Sequence, residues 1–343
     1  MKYRTEGGAS PLGPRPMVYC PAVTSPLPRR YFDVICCPRC HGELSHPATS
    51  MDRLECSDCR ASYPVVDGVP MLVVDADDQA SSAIRQFYND AWKRDERREL
   101  RAAVLHNDLS DIGARYASVN EQKFEGIFEG GGRYFLDVGC GALPRVSFGK
   151  RFAHHICLDF SLDGLIECRR ALGDRAITVC GSVLKMPLKS AICDGVLAAH
   201  CIYHIERERQ HEAVSEMSRV LATGRVLIFY ANPDALERKV IRGLKRLMRR
   251  DGGPDVPQIA DNFYYYAHSI DRMLGFLHDE FPGSAVDVLP LRLVSTTVSV
   301  RAFRVRALGP AFFYAFRAVE KLAPRNARPA RLVTYVVDRP TKR

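Results

Sequence analysis

The chain changes its hydrophobic rhythm along its length. Short apolar runs at 134–138, 155–159, 176–180, 195–199 and 225–230 read as strands. Between them, apolar residues recur every three or four positions, as at 162–172 and 208–221, and helices are expected to fill the gaps. Strands alternating with helices of this length imply right-handed crossovers and a parallel sheet. Residues 79–104 and 121–128 also read as helices. After Tyr230 the pattern is mostly helical, and two further strands are expected at 285–293 and 331–337. The first 30 residues contain six prolines and one acid, Glu6, so a disordered and mildly basic tail is expected there. Residues 31–74 show almost no helical period and carry four cysteines in two pairs.

Composition narrows the picture. With 343 residues, 46% apolar and 26% charged, the chain can bury a sizeable core. It has no apolar run long enough to cross a membrane, and its start lacks the apolar stretch of a secretory leader. Twelve cysteines without a leader point to a reducing, cytoplasmic setting, with metal ligands and buried thiols rather than disulfides. The net charge of +9 is local: residues 301–343 carry eleven basic side chains against Glu320 and Asp338, and the first 300 residues are balanced. A nucleic-acid, anionic-membrane or acidic-substrate partner is compatible with it.

Cys37 and Cys40 form one C-x2-C pair, Cys56 and Cys59 a second, fifteen residues apart. Each pair aims two thiolates at one point, and four complete a tetrahedral Zn²⁺ shell with no place for water, hence a structural zinc. Cys36 stands next to the first pair, and His41 and His46 are weaker ligand candidates. The segments CPRCHGEL, LECSDC and YPVVDGVPMLV resemble the small zinc-ribbon family that activates tRNA- and protein-methylating enzymes.

A second motif follows. The apolar run at 135–138 ends in Asp137-Val138-Gly139-Cys140-Gly141, where a helix is expected to start, and about twenty residues later another run ends in Asp159. Glycines let the backbone approach a ligand, and the later acid can accept both hydroxyls of a ribose. A dinucleotide site wants a third glycine where Pro144 stands. LDVGCG, ICLDFS, CDGVLAAHCIYHI and RVLATGRVLIFY together resemble the class I S-adenosylmethionine-dependent methyltransferases. The resemblance implies a Rossmann-like α/β fold with a seven-stranded, mostly parallel sheet, here behind the ribbon. It implies a donor site of Asp137, Gly139, Cys140, Gly141, Asp159, Phe160, Ser182, Val183 and Ala199. Ser182 replaces the family's adenine-side acid, and Leu143 a common third glycine.

His200, Tyr203 and His204 follow the strand that faces the methyl group in that family. A histidine there can take a proton from the acceptor; it can equally cap the strand, pack the pocket or bond backbone. His200 and His204 would share one face of a helix. Phe87, Tyr88 and Trp92 either close over the donor or pack in the core. Cys140, Cys157, Cys168, Cys180, Cys193 and Cys201 read as buried thiols. The segment 234–250 is an amphipathic helix with a basic face, fitting a membrane surface, nucleic-acid phosphates or a solvated cap. The tyrosines at 264–266 read as a pocket wall, and the aromatic stretch at 309–322 as a helix over the substrate side. The expected layout is a tail (1–30), a ribbon (31–74) and a methyltransferase domain (75–343) with insertions near 234–282 and 301–330. The expected reaction is methyl transfer to a small or lipid-linked acceptor, at oxygen. The alternatives are RNA methylation, with ribbon and basic helix on phosphates, and a catalytically weak activator or scaffold.

Overall fold

The computed structural model describes residues 26–74, 90, 92, 111–247, 264–305, 308–322 and 326–339. The tail and most of the helix expected at 79–104 lie outside the described residues.

The ribbon starts from a short helix, α1 (Arg29–Val34), and contains β1 (Leu44–Ser45), β2 (Arg53–Cys56), β3 (Ser62–Val66) and β4 (Val69–Leu72). The large sheet is built from β5 (Gly132–Val138), β6 (Phe152–Asp159), β7 (Ala176–Gly181), β8 (Cys193–Ala199), β9 (Leu221–Ala231), β10 (Ala285–Arg292) and β11 (Leu332–Arg339). Their order is β7-β6-β5-β8-β9-β11-β10, with β11 antiparallel to both neighbours. All seven strands fall on the runs expected from sequence, with ends shifted by up to four residues. The central strands are apolar on both faces, as a sheet covered on both sides requires. Phe135, Leu136, Val196, Leu197 and Ile228 are fully buried.

The ribbon is not a bead on a string. Its last strand, β4, pairs in parallel with β7, Met71 opposite Cys180 and Leu72 opposite Gly181, and so covers an otherwise open edge. The Tyr31 hydroxyl accepts the Thr178 amide at 3.1 Å, and Arg133 meets Asp33 at 3.0 Å.

Helices α2 (Asp111–Glu121), α3 (Leu162–Leu172), α4 (Gln210–Val220), α5 (Leu236–Leu247), α6 (Ile270–Glu280), α7 (Thr296–Phe303) and α8 (Gly309–Leu322) surround the sheet. The segment expected as a helix at 121–128 is a 3-10 turn, Gln122–Phe128, continuing α2. The expectation that helices fill the gaps fails twice, at 142–151 and 182–192, where only turns and short bridges occur. In the first gap Pro144 lacks an N–H and disfavours helix at Leu143. The Arg145 amide is taken instead by the Asp137 carboxylate at 2.7 Å. Phe148 then pins the loop, its ring edge-on to Phe128 and Phe229.

Candidate functional sites

The four ribbon sulfurs lie within 4.8 Å of one another, with Cys37 to Cys59 at 3.6 Å and Cys40 to Cys56 at 3.5 Å. A zinc–thiolate tetrahedron has sulfur edges of about 3.8 Å from its bond length of roughly 2.3 Å, so the set fits that ion. The two knuckles repeat one geometry. The Cys37 amide donates to Gly42 O and the Cys56 amide to Ala61 O, both at 2.9 Å. His41 and Arg60, each just after a second cysteine, take positive φ of 61° and 59°. Cys36 is outside the sulfur cluster, its amide bonded to Pro187 O. His46 bonds the Arg53 carbonyl and the Leu27 amide.

A second site opens at the C-terminal ends of the parallel strands, a cavity of about 870 Å³. Gly139, Cys140, Gly141, Asp159, Phe160, Ser182, Val183, Ala199, His200, Tyr203 and His204 all line it. Asp137 does not. It is 1% exposed, one layer behind, bonded to the Arg145 amide with His155 Nε2 at 3.4 Å. Its position makes it an anchor of the glycine loop.

The loop geometry demands glycine. Gly139 and Gly141 have φ of 63° and 55°. A Cβ on Gly141 would stand 2.4 Å from Trp92 Cζ2, so the indole lies directly on the loop. Phe87 and Tyr88 lie outside the described residues. Asp159 ties loop to strand: Oδ2 accepts the Gly141 amide at 2.8 Å, and Oδ1 the Ser161 amide at 2.8 Å. Burial pushes its carboxyl up, and these two amides bring it partly back, to about 6. The Ser161 hydroxyl caps α3 by accepting the Gly164 amide. Ser182 Oγ accepts the Leu184 amide at 3.1 Å.

His200 and His204 reach the cavity differently from the expected shared helix face. Only Ile202–His204 forms a 3-10 turn, while His200 sits before it at a φ of 61°, a strained value for a non-glycine residue. His200 Nε2 lies 3.6 Å from Glu121 Oε1, and Arg145 Nε donates to Glu121 Oε2 at 3.0 Å. Burial would raise the Glu121 carboxyl, but Arg145 and His200 hold it down at about 2. Sequence reading misses this pair. Glu121 and Arg145 are 24 residues apart, in segments with no motif of their own. His204 Nδ1 is 3.1 Å from the Tyr264 carbonyl. A carbonyl only accepts, so Nδ1 carries the hydrogen in this contact.

Two wall assignments are corrected. Tyr264, Tyr265 and Tyr266 do not line the cavity; they stand behind it, with the Tyr265 ring 5.0 Å from that of Tyr203 and the Tyr266 amide on Tyr203 O. Nor does α8 line it. Phe313 packs edge-on against Tyr116 of α2, so α2 lies between.

Comparison with known proteins closes the assignment. Residues 136–229 match the family described as methyltransferase domain, and residues 28–68 the family described as Trm112p-like protein. The chain carries a methyltransferase domain behind a Trm112p-like ribbon. The ribbon is 41% identical over 44 residues to a UPF0434 protein of Psychromonas ingrahamii, covering 13% of this chain and 73% of that one. It is 33% identical over 45 residues to a UPF0434 protein of a Shewanella strain, 13% of this chain and 75% of that one. Solved structures similar to the chain include the geranyl diphosphate C-methyltransferase of Streptomyces coelicolor, at 16% identity and TM-score 0.48, covering 77% of this chain and all of that one. A possible histamine N-methyltransferase of Thermotoga maritima is similar at 13% identity and TM-score 0.45, with 76% and 100% covered. The four-cysteine set of the ribbon fits zinc as a structural ion. Among the described residues, no helix is long and apolar enough to cross a membrane.

Proposed function

We propose that this methyltransferase acts on a small or lipid-linked acceptor, at oxygen, within the cavity. The observation that carries the reading is convergence: His200, Tyr203 and His204 line the same space as the Gly139–Gly141 loop and Asp159. S-adenosylmethionine, when bound, supplies a methyl group already activated on a sulfonium. The protein's task is to position and to exclude water. Asp159, once ionised, accepts ribose hydroxyls from below the loop. Phe160, Ser182 and Val183 border the adenine side, and Cys140 and Ala199 contribute the floor. Trp92 and Tyr203 keep water out.

His204 is the favoured base. It lines the cavity with its Nδ1 on the Tyr264 carbonyl, and as a base it would take the acceptor's proton on Nε2. His200 is the second candidate, with the Glu121 carboxylate positioned to stabilise its imidazolium. The acceptor side has apolar walls, Leu143, Val146, Leu291 and Leu332 among them, which suits a lipophilic or ring-bearing molecule. We place the enzyme in the cytoplasm, a reading supported by the four-cysteine cluster, whose thiolates a reducing compartment keeps available for a metal.

The test is acceptor trapping. Cell extract is incubated with methyl-labelled S-adenosylmethionine and the purified chain, then fractionated. Label in an organic-soluble small molecule, carried on oxygen, is expected. Label confined to RNA or protein would overturn the reading.

A further inference from the structure

Helix α5 shows its apolar side to solvent. Leu236, Val240, Ile241 and Leu244 fall on one face by their spacing, and each is between 36% and 58% exposed. A helix that caps a soluble domain turns such a stripe inward. At its start the Leu236 amide donates to Pro329 O. The Asn232 side chain, just before it, donates to Arg328 O and Ala330 O.

The opposite face is basic. Arg238, Lys239 and Arg242 occupy it, and Lys245 and Arg246 continue the pattern in sequence. The apolar surface extends beyond α5. Glu237 accepts the amide and hydroxyl of Ser295 at 2.7 and 2.6 Å, which sets the start of α7 against α5. Val298, one turn along α7, is also exposed. The segment beyond, 301–343, carries a charge surplus equal to the whole net +9. Moreover, α5 leaves β9 at the end of the sheet where the cavity opens, since Leu332 at the start of antiparallel β11 lines that cavity.

We propose that α5, with the start of α7 beside it, is a docking surface for an anionic lipid bilayer. An apolar stripe set between basic side chains matches the boundary of headgroups and acyl chains. Phosphates of RNA would use the charges and leave the stripe in water. A second copy of the chain would cover the stripe and crowd like charges together. The bilayer satisfies both halves of the helix, and it lies on the side where a lipid-linked acceptor would reach the cavity. The docking itself does not depend on the identity of the acceptor.

Sedimentation with vesicles tests this on the full chain. The chain should pellet with vesicles of phosphatidylglycerol and phosphatidylcholine in equal parts, but not with phosphatidylcholine alone, and less at high salt. Val240→Glu with Leu244→Glu should weaken partitioning by about tenfold or more, by removing the inserted stripe. Lys239→Glu with Arg242→Glu should cost about tenfold through lost attraction. Both double variants should bind S-adenosylmethionine as the parent does, which shows that they fold. Absence of binding to the anionic vesicles, with donor binding intact, overturns the proposal. So does vesicle binding that both double variants retain. RNA binding without vesicle binding would reassign the surface to nucleic acid. Self-association lost in Leu244→Glu, again without vesicle binding, would reassign it to a second copy.

Discussion

The Asp159 carboxylate accepts the amide of Gly141 at 2.8 Å, so Asp159 and the glycine loop are one mechanical unit. Burial raises the Asp159 carboxyl to about 6, above the roughly 3.9 of an unfolded aspartate. Ionising it therefore costs stability above about pH 6, and the cost is relieved as pH falls from about 6 towards 4. Donor binding has the opposite slope, because ribose hydroxyls need the ionised form. S-adenosylmethionine affinity should thus fall as pH drops through about 6, measured by calorimetry. Asp159→Asn should flatten that profile and weaken binding at neutral pH; since Asn can accept only one of the two amides, its Tm should lie below the parent's at about pH 4.5 and closer to it at about pH 8. An unchanged affinity in this variant would mean that the donor lies elsewhere.

His204→Ala should lower kcat by about a hundredfold or more while leaving donor affinity intact, the usual loss of a general base. Its acid limb in the pH–rate profile should vanish with the side chain. Glu121→Gln should lower kcat more modestly, about tenfold, because it removes only the charge opposite His200. If His200→Ala and His204→Ala both keep full turnover, transfer proceeds by proximity alone.

Gly141→Ala combines a left-handed backbone with a clash against Trp92. The conformation alone costs about 1–2 kcal/mol for a residue with a Cβ. Donor affinity should fall at least about tenfold, with a smaller fall in Tm, because the indole must leave the loop. Calorimetry and thermal unfolding on the same sample separate the two effects.

Zinc removal should be felt in the donor site. Met71 and Leu72 pair with Cys180 and Gly181, and Ser182 follows immediately in the cavity wall. Chelation, or Cys37→Ser with loss of bound zinc by elemental assay, should loosen β4, lower Tm by several degrees and weaken donor binding. Domains that unfold independently, with donor affinity untouched, would contradict this coupling.

Tyr116 of α2 donates to the buried Glu320 carboxylate of α8 at 2.8 Å, and the same carboxylate accepts the Leu293 amide. Tyr116→Phe leaves the amide partner but removes one charged hydrogen bond. A loss of about 1.5–3 kcal/mol in urea unfolding is expected, with S-adenosylmethionine affinity unchanged.

Much of the architecture was legible in the chain because its signals are local. Apolar runs bounded by glycine or acid gave the seven strands, and cysteine spacing gave the metal shell. Asp159, Gly139 and Gly141 were readable because a tight turn after a strand, and an acid at the end of the next strand, impose residue types at fixed spacing. Helix α2 was not readable: Gly113 and Asn120 weaken its period, although Tyr116 on it is fully buried.

Sequence by itself determined which segments become strands, which four cysteines form the paired knuckles, and where the chain makes its tight glycine turn. Each of these is set within a few residues by periodicity, turn geometry or coordination. Tertiary structure alone decided that β4 would extend the large sheet, that Asp137 would act behind the cavity rather than in it, and that Glu121 would meet Arg145 and His200. It also decided that the apolar face of α5 would stay exposed. These are matters of long-range packing, where the partner of a side chain is fixed by how the sheet is ordered and not by anything adjacent in the chain.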